Sequence, residues 1–141
     1  MKVLIPVDES EAALRAIDWM AQVQQDGGVP EVTLMNSRTL PETYGGLSVL
    51  YYEAIERALR EAQQHVLATA LDYAQRAGLR KVSIHAAHGL PAEQIVEVAK
   101  EKGADQIVMA THGRGAVGTF FLGSVAQNVV HLAPMAVTLV K

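Results

Sequence analysis

Five short strand-like segments divide the 141-residue chain, and this feature restricts its fold more than any other. The segments at residues 2–7, 106–111 and 135–140 are apolar at most positions, which is typical of strands that are buried on both faces, as in parallel sheets. The stretches between the five segments are longer and carry helical signals. The predicted strands span residues 2–7, 31–37, 81–87, 106–111 and 135–140.

Each connection between consecutive predicted strands is expected to contain one helix. Ser10 is a favourable N-cap for the first helix, Gly78 suits the position just after the second, and Pro91 suits the first turn of the third. In the last helix, Val125, Val129 and Leu132 are expected to face the core. The predicted helices span residues 11–25, 49–77, 91–102 and 124 to about 133, and residues 38–48 are predicted to form a loop.

Strands that alternate with helices predict a single α/β domain over residues 1–141. We expect a doubly wound, five-stranded, mainly parallel sheet of Rossmann-like type, with strand order 3-2-1-4-5 and helices on both faces. In such sheets, ligands bind beyond the carboxyl ends of the strands, near the point where strand order reverses. The residues expected at that edge are Asp8, Asn36-Ser37, His88-Gly89 and 110–115.

Composition and charge exclude several classes of function. The chain has no cysteine, which excludes disulfides, thiolate metal sites and a cysteine nucleophile. Its net charge of −3 is spread without a basic cluster, so nucleic acid and acidic membrane surfaces are not expected partners. No stretch predicts a signal peptide or a membrane span. The resulting expectation is a soluble cytoplasmic protein with no membrane insertion.

Residues 113–118, "GRGAVG", have the Gly-x-Gly-x-x-Gly spelling of a dinucleotide-binding fingerprint. That fingerprint normally lies in the first βαβ unit, and an acidic residue about 20 positions later binds the ribose. Here the glycines follow the fourth predicted strand, and neither Asp nor Glu occurs after Asp105. The sequence therefore disfavours a classical nicotinamide site.

Residues 110–124 instead have the properties of a loop that binds phosphate. They contain four glycines, Arg114, and a serine at the predicted start of a helix. Glycine N–H groups can approach an anion closely, and the dipole of a helix favours negative charge at its N-terminus. The loop is not a Walker loop, because Gly-Lys-Ser/Thr is absent.

The whole chain resembles the universal stress protein family. The resemblance is carried by "VLIPVDES" (3–10), "HGLPAEQIVEVAKEKGADQIVMATHGRG" (88–115) and "LGSVAQNVVHLAPMAVTLVK" (122–141). The ATP-binding branch of that family has the motif G-x2-G-x9-G-S/T. Gly113 and Gly123-Ser124 match it, whereas Ala110 stands at the first glycine position. The resemblance implies that the loop holds the phosphates of a mononucleotide.

The resemblance also implies a role for each matching residue. The main chain at the end of the first strand would meet adenine and ribose, the exit of the second strand would contact adenine, and the fourth strand would line base and ribose. A divalent ion, Mg²⁺ or Mn²⁺, would be held largely by the phosphates. In that order the residues are Pro6, Val7 and Asp8; Ser37; Met109 and Ala110; and, around the phosphates, Gly113, Arg114, Gly123, Ser124 and Val125.

Some of these residues have structural alternatives. Asp8 could accept a hydrogen bond from ribose or could cap the turn that leads to Ser10. Phe120-Phe121 could cover the nucleotide, pack on the last helix or form a contact patch. Residues 38–48, with "VLYY" at 49–52, could gate the pocket or contact an unidentified protein partner.

The last predicted strand, 135–140, is apolar at nearly every position. At the edge of a sheet it would expose unpaired backbone groups, which proteins rarely leave bare. The resemblance implies a homodimer in which two copies pair antiparallel through this strand.

The expected function is that of an ATP-binding regulatory or stress-response protein. One alternative is a slow ATPase or phosphotransferase, for which Asp8 and Arg114 are the obvious candidates. The other alternative is a nucleotide-free dimeric interaction module, which only Ala110 favours.

Overall fold

A computed structural model describes residues 1–40, 48–111 and 122–141. Each helix and strand begins and ends within one residue of its predicted limits. In chain order the elements are β1 (Lys2–Pro6), α1 (Glu11–Gln25), β2 (Glu31–Arg38), α2 (Val49–Arg76), β3 (Val82–His88), α3 (Pro91–Glu101), β4 (Gln106–Ala110), α4 (Ser124–Leu132) and β5 (Ala136–Val140).

The strands form one parallel five-stranded sheet in the order β3-β2-β1-β4-β5. The chain runs outward from β1 to β3, then crosses back to β4 on the other side of β1. The carboxyl ends of β1 and β4 therefore flank the point where strand order reverses. This arrangement confirms the predicted α/β class and the predicted strand order.

Two hydrophobic cores lie on opposite faces of the sheet. Val3 and Ile5 pack in one core with residues of α1 and α2, whereas Leu4 packs in the other with residues of α3 and α4. Successive side chains of a strand point to opposite faces, which explains how β1 contributes to both cores. Right-handed crossovers that travel in opposite directions place their helices on opposite faces.

The predicted helix ends are built as their residue types suggest. Ser10 Oγ accepts from Ala13 N at 3.3 Å, and Ser48 Oγ accepts from Tyr51 N at 3.4 Å. Gly78 follows α2 with φ of +94°, and Leu79 N donates to Ala74 O at 3.1 Å in a Schellman arrangement.

The inward face of α4 differs from its prediction. Ala126 and Val129 are buried, whereas Val125 and Leu132 are 36% and 47% exposed. Helix α4 packs against α3 as well as the sheet. The small side chain of Ala126 permits close packing of α4 against α3. The size of a side chain, as well as its hydrophobicity, therefore decides which residues of α4 are buried.

Strand β5 forms one edge of the described sheet, as the sequence suggested. Among the described residues, no helix combines the length and the apolar character that crossing a membrane requires.

Candidate nucleotide site

A cavity of about 440 Å³ lies at the carboxyl ends of β1 and β4, where strand order reverses. The fold brings together there most of the site residues that the sequence predicted. Gly113 and Arg114, with His112 and Phe120-Phe121, lie outside the described residues. The predicted residues that line the cavity are Pro6, Val7, Asp8, Ser37, Met109, Ala110, Gly123, Ser124 and Val125.

Apolar side chains on the face of the sheet that α3 and α4 cover form part of the wall. Met35 and Met109 come from β2 and β4, Ile95 comes from α3, and all three side chains are buried. Neither Met35 nor Ile95 is among the site residues predicted from the sequence. Met35 could have been inferred, because it lies two residues before Ser37 and therefore on the same face of β2. Such a wall suits a flat, weakly polar group.

The start of α4 forms another part of the wall and has no side-chain cap. Gly123 occupies the N-cap position, and its own N–H donates to Thr111 O at 2.8 Å. The first helical bond runs from Gln127 N to Gly123 O at 2.9 Å. The N–H groups of residues 124–126 therefore have no partner within the helix. These donors and the helix dipole make this end of the cavity suitable for an anion.

Asp8 closes the turn between β1 and α1. Its Oδ1 accepts from Ser10 N at 2.8 Å and from Ser10 Oγ. Asp8 therefore caps the turn that leads to Ser10, which was one of the two alternatives predicted for it. Within the described ranges, Asp8 Oδ2 takes part in no hydrogen bond, so the carboxylate keeps one oxygen that can accept from a ligand.

Two amide side chains hold the strand ends beside the cavity. Asn36 Nδ2 donates to Val7 O at 2.8 Å. Gln63 Nε2 donates to Asn36 O at 2.8 Å and to Ala87 O at 2.9 Å. Gln63 is 5% exposed, whereas its apolar neighbour Ala62 is exposed. A lone glutamine within a helix gives no sequence signal of this role.

The described part of the wall contains a single charged side chain, Asp8. No cluster of three or more histidine, aspartate or glutamate residues suited to a metal ion occurs in residues 1–40, 48–111 and 122–141. The described wall can thus hold an anion through main-chain groups and an apolar ring through methionine and isoleucine.

The model of the universal stress protein family matches residues 1–141. The chain belongs to this family. A universal stress protein of Thermus aquaticus, encoded 3′ of a QAH/OAS sulfhydrylase, is 34% identical over 139 residues, which cover 99% of this chain and 97% of the relative.

Solved structures of universal stress proteins share the fold. Protein MJ0577 of Methanocaldococcus jannaschii superposes with a TM-score of 0.82 at 28% identity, covering 99% of this chain and 94% of that one. A universal stress protein in complex with cAMP gives a TM-score of 0.69 at 24% identity, with 100% and 96% coverage. That second likeness concerns the fold alone.

This universal stress protein has a second groove, of about 320 Å³, at the opposite edge of the sheet. Lys2, Lys81 and Lys102 line it together with Glu31, and Lys81 Nζ lies 3.0 Å from Glu31 Oε1. The hydrogen bond from Lys81 holds the pKa of Glu31 below its ordinary value. Helices that connect parallel strands begin at the carboxyl edge, so this groove lacks the N-terminal donors found beside the larger cavity.

Proposed function

We propose that this universal stress protein binds ATP with Mg²⁺ or Mn²⁺ in the 440 Å³ cavity and acts as a nucleotide-dependent regulator in a stress response. The observation that carries the proposal is the uncapped start of α4 at Gly123-Ser124, beside an apolar wall in the same cavity. One wall suits phosphate and the other suits a base. The volume lies within the range of small-molecule sites, roughly 300–1,000 Å³.

Each part of the nucleotide has a counterpart in the chain. Adenine would lie against Met109 and Ala110 and meet the main chain of Ser37. The ribose would meet Pro6, Val7 and Asp8, with Asp8 Oδ2 accepting from a hydroxyl. The phosphates would meet Gly123, Ser124 and Val125, and Gly113 and Arg114 would complete that end. An adenine nucleotide, cAMP, is the ligand in the similar complex described above.

The divalent cation would be held mainly by the phosphates. Asp8 is the one carboxylate in the described wall, and its Oδ1 already accepts from Ser10. Mg²⁺ commonly keeps several waters and binds substrate phosphates rather than a cage of protein ligands. The bound cation would neutralise part of the negative charge of the phosphates.

Regulation would act through a homodimer that pairs along residues 135–140. Strand β5 is the edge next to β4, and β4 leads into the phosphate end of the cavity. A nucleotide can shift the dimer only by binding one arrangement more tightly than another. A cytoplasmic location and an unidentified protein partner belong to the same proposal.

Isothermal titration of nucleotide-stripped protein with ATP and Mg²⁺ tests the proposal. The wild type should bind saturably, and Gly123→Val should abolish binding because branched methyl groups would fill the phosphate end. Gly123 has φ of −58° and ψ of 151°, a conformation open to valine, so the backbone should tolerate the change.

Asn128→Val is the matched control, since Asn128 is exposed on the same helix and does not line the cavity. The control should bind as the wild type does. If the wild type gives neither heat nor a thermal shift at millimolar ATP, the proposal is wrong, and the dimeric interaction module becomes the better interpretation.

A further inference from the structure

The pairing of β1 with β2 ends in an unusual way beside the cavity. Val7 N donates to Met35 O at 2.8 Å, which continues the parallel ladder one residue beyond β1. In a regular parallel ladder, the next bond would run from Ser37 N to Val7 O. Instead, the Asn36 side chain donates to Val7 O at 2.8 Å.

This replacement leaves the main-chain N–H of Ser37 unpaired. Within residues 1–40, 48–111 and 122–141, the Ser37 N–H donates to no acceptor, although Ser37 Oγ donates to Gly89 O at 2.8 Å. Both Asn36 and Ser37 line the cavity. An N–H at the rim of a ligand cavity is a donor that a bound molecule can use, and burying it without a partner is costly.

Gln63 fixes the backbone that carries Asn36. Its amide donates to Asn36 O and to Ala87 O, and so ties α2 to the ends of β2 and β3. Asn36 in turn ties the end of β2 to the end of β1. Through these hydrogen bonds, the two amides connect a buried position on α2 to the main chain beside the cavity.

We propose that Asn36 is a positioning residue of the nucleotide site, which engages Val7 O so that the Ser37 N–H can donate to N1 of adenine. The inference rests on the proposed function and deepens it. N1 of adenine is an acceptor, whereas N1 of a 6-oxopurine carries a hydrogen and would face the Ser37 N–H donor to donor. Asn36 thereby sets the preference of the site for a 6-aminopurine.

The test compares the affinities of ATP and ITP, which differ at position 6 and in the hydrogen on N1. We expect the wild type to bind ATP at least about tenfold more tightly, the worth of one well-formed hydrogen bond. Asn36→Leu removes the amide, and Asn36→Asp replaces it with a carboxylate that cannot donate. In both variants the Ser37 N–H can return to Val7 O, and the ATP-to-ITP preference should fall towards one.

Asn128→Leu and Asn128→Asp are the matched controls, and both should keep the wild-type preference. Circular dichroism checks that each variant is folded. If Asn36→Leu does not fold, the nearly isosteric Asn36→Asp alone provides the test of the preference. A purely structural role for Asn36 would change the melting temperature and leave the preference unchanged. That result, or equal wild-type binding of ATP and ITP, overturns the inference. Binding of neither nucleotide by the wild type rejects the proposed function itself.

Discussion

Gly123 occupies the N-cap position of α4, and it has no side chain that could cap the helix. At the starts of α1 and α2, Ser10 and Ser48 accept hydrogen bonds from the first turn, whereas α4 has no such bond. An uncapped N-terminus gives up stability but keeps its donors for a ligand. Helix α3 also lacks a side-chain cap, but Pro91 in its first turn has no N–H and so removes one donor. The full set of free donors at the start of α4 therefore suggests a role in binding.

Gly123→Ser should separate stability from binding. The introduced hydroxyl can accept from the first turn of α4, which should raise the free energy of unfolding by a few tenths of a kcal/mol. The same hydroxyl occupies donors that the phosphates would use, so ATP affinity should fall. Urea unfolding without nucleotide and titration with ATP measure the two effects. A variant that gains both stability and affinity would contradict the phosphate role of this helix start.

At the scale of elements, a hydrogen bond joins the first two helices. Tyr73 on α2 donates through its hydroxyl to Asp18 on α1, with distances of 2.8 and 3.1 Å to the two carboxylate oxygens. The hydrogen bond to Asp18, with some desolvation, raises the pKa of Tyr73 above its ordinary value of 10.0. The folded protein therefore holds the phenolic proton more tightly than the unfolded chain does.

The sign of the pH dependence follows from that shift. The contribution of Tyr73 is fully present below its ordinary pKa of 10.0 and is lost as pH rises through the higher folded value. Tyr73→Phe should be slightly less stable than the wild type at neutral pH, and the difference should vanish in strongly alkaline solution. Urea midpoints of both proteins over that range test this, and a difference that stays constant would contradict it.

Elements were more predictable from the sequence than contacts between them. Apolar runs, Ser10, Gly78 and Pro91 act locally, so they predicted the helices and strands closely. The role of Gln63 depends on which strand ends lie next to α2, and Asn36 acts only because β1 and β2 are neighbours. The burial of Ala126 in place of Val125 likewise depends on how closely α3 approaches α4. Local patterns cannot carry such information.

The edge strand β5 offers a precise way to test the proposed dimer. Val140 O accepts from Thr111 N at 3.0 Å, so the main chain of Val140 faces β4. Hydrogen-bonding groups alternate along a strand, and the main chain of Leu139 therefore faces away from the sheet. Leu139→Pro removes one outward N–H and leaves the pairing with β4 intact.

Leu139→Pro should weaken the dimer about thirtyfold, because two-fold symmetry removes two hydrogen bonds of about 1 kcal/mol each. Leu139→Ala trims the same side chain and keeps the N–H, so it separates backbone pairing from side-chain packing. Analytical ultracentrifugation across a concentration series measures both. If the proline variant dimerises as tightly as the alanine variant, pairing through β5 is wrong.

For the whole molecule, the main chain of one residue, Thr111, links the cavity to the edge strand of the proposed dimer. Thr111 O accepts from Gly123 N at the start of α4, and Thr111 N donates to Val140 O on β5. A ligand that pulls on the start of α4 therefore acts, through Thr111, on the strand proposed to pair with a second copy. This path gives the proposed regulation a physical basis. Coupling between two binding equilibria acts in both directions, so dimerisation must in turn affect ATP binding.

Reciprocity yields a quantitative prediction. If dimerisation changes the ATP affinity of each site by some factor, typically about 5 to 150 for coupled sites, saturating ATP must change the dimer dissociation constant by the square of that factor, because the dimer holds two ATP sites. We expect the ratio of the dimer dissociation constants without and with ATP to equal the square of the ratio of the ATP affinities of concentrated and dilute wild type. Leu139→Pro, held monomeric, should bind ATP with the affinity of the dilute wild type. Ratios that both equal one would leave ATP binding intact and refute control of the dimer by the nucleotide.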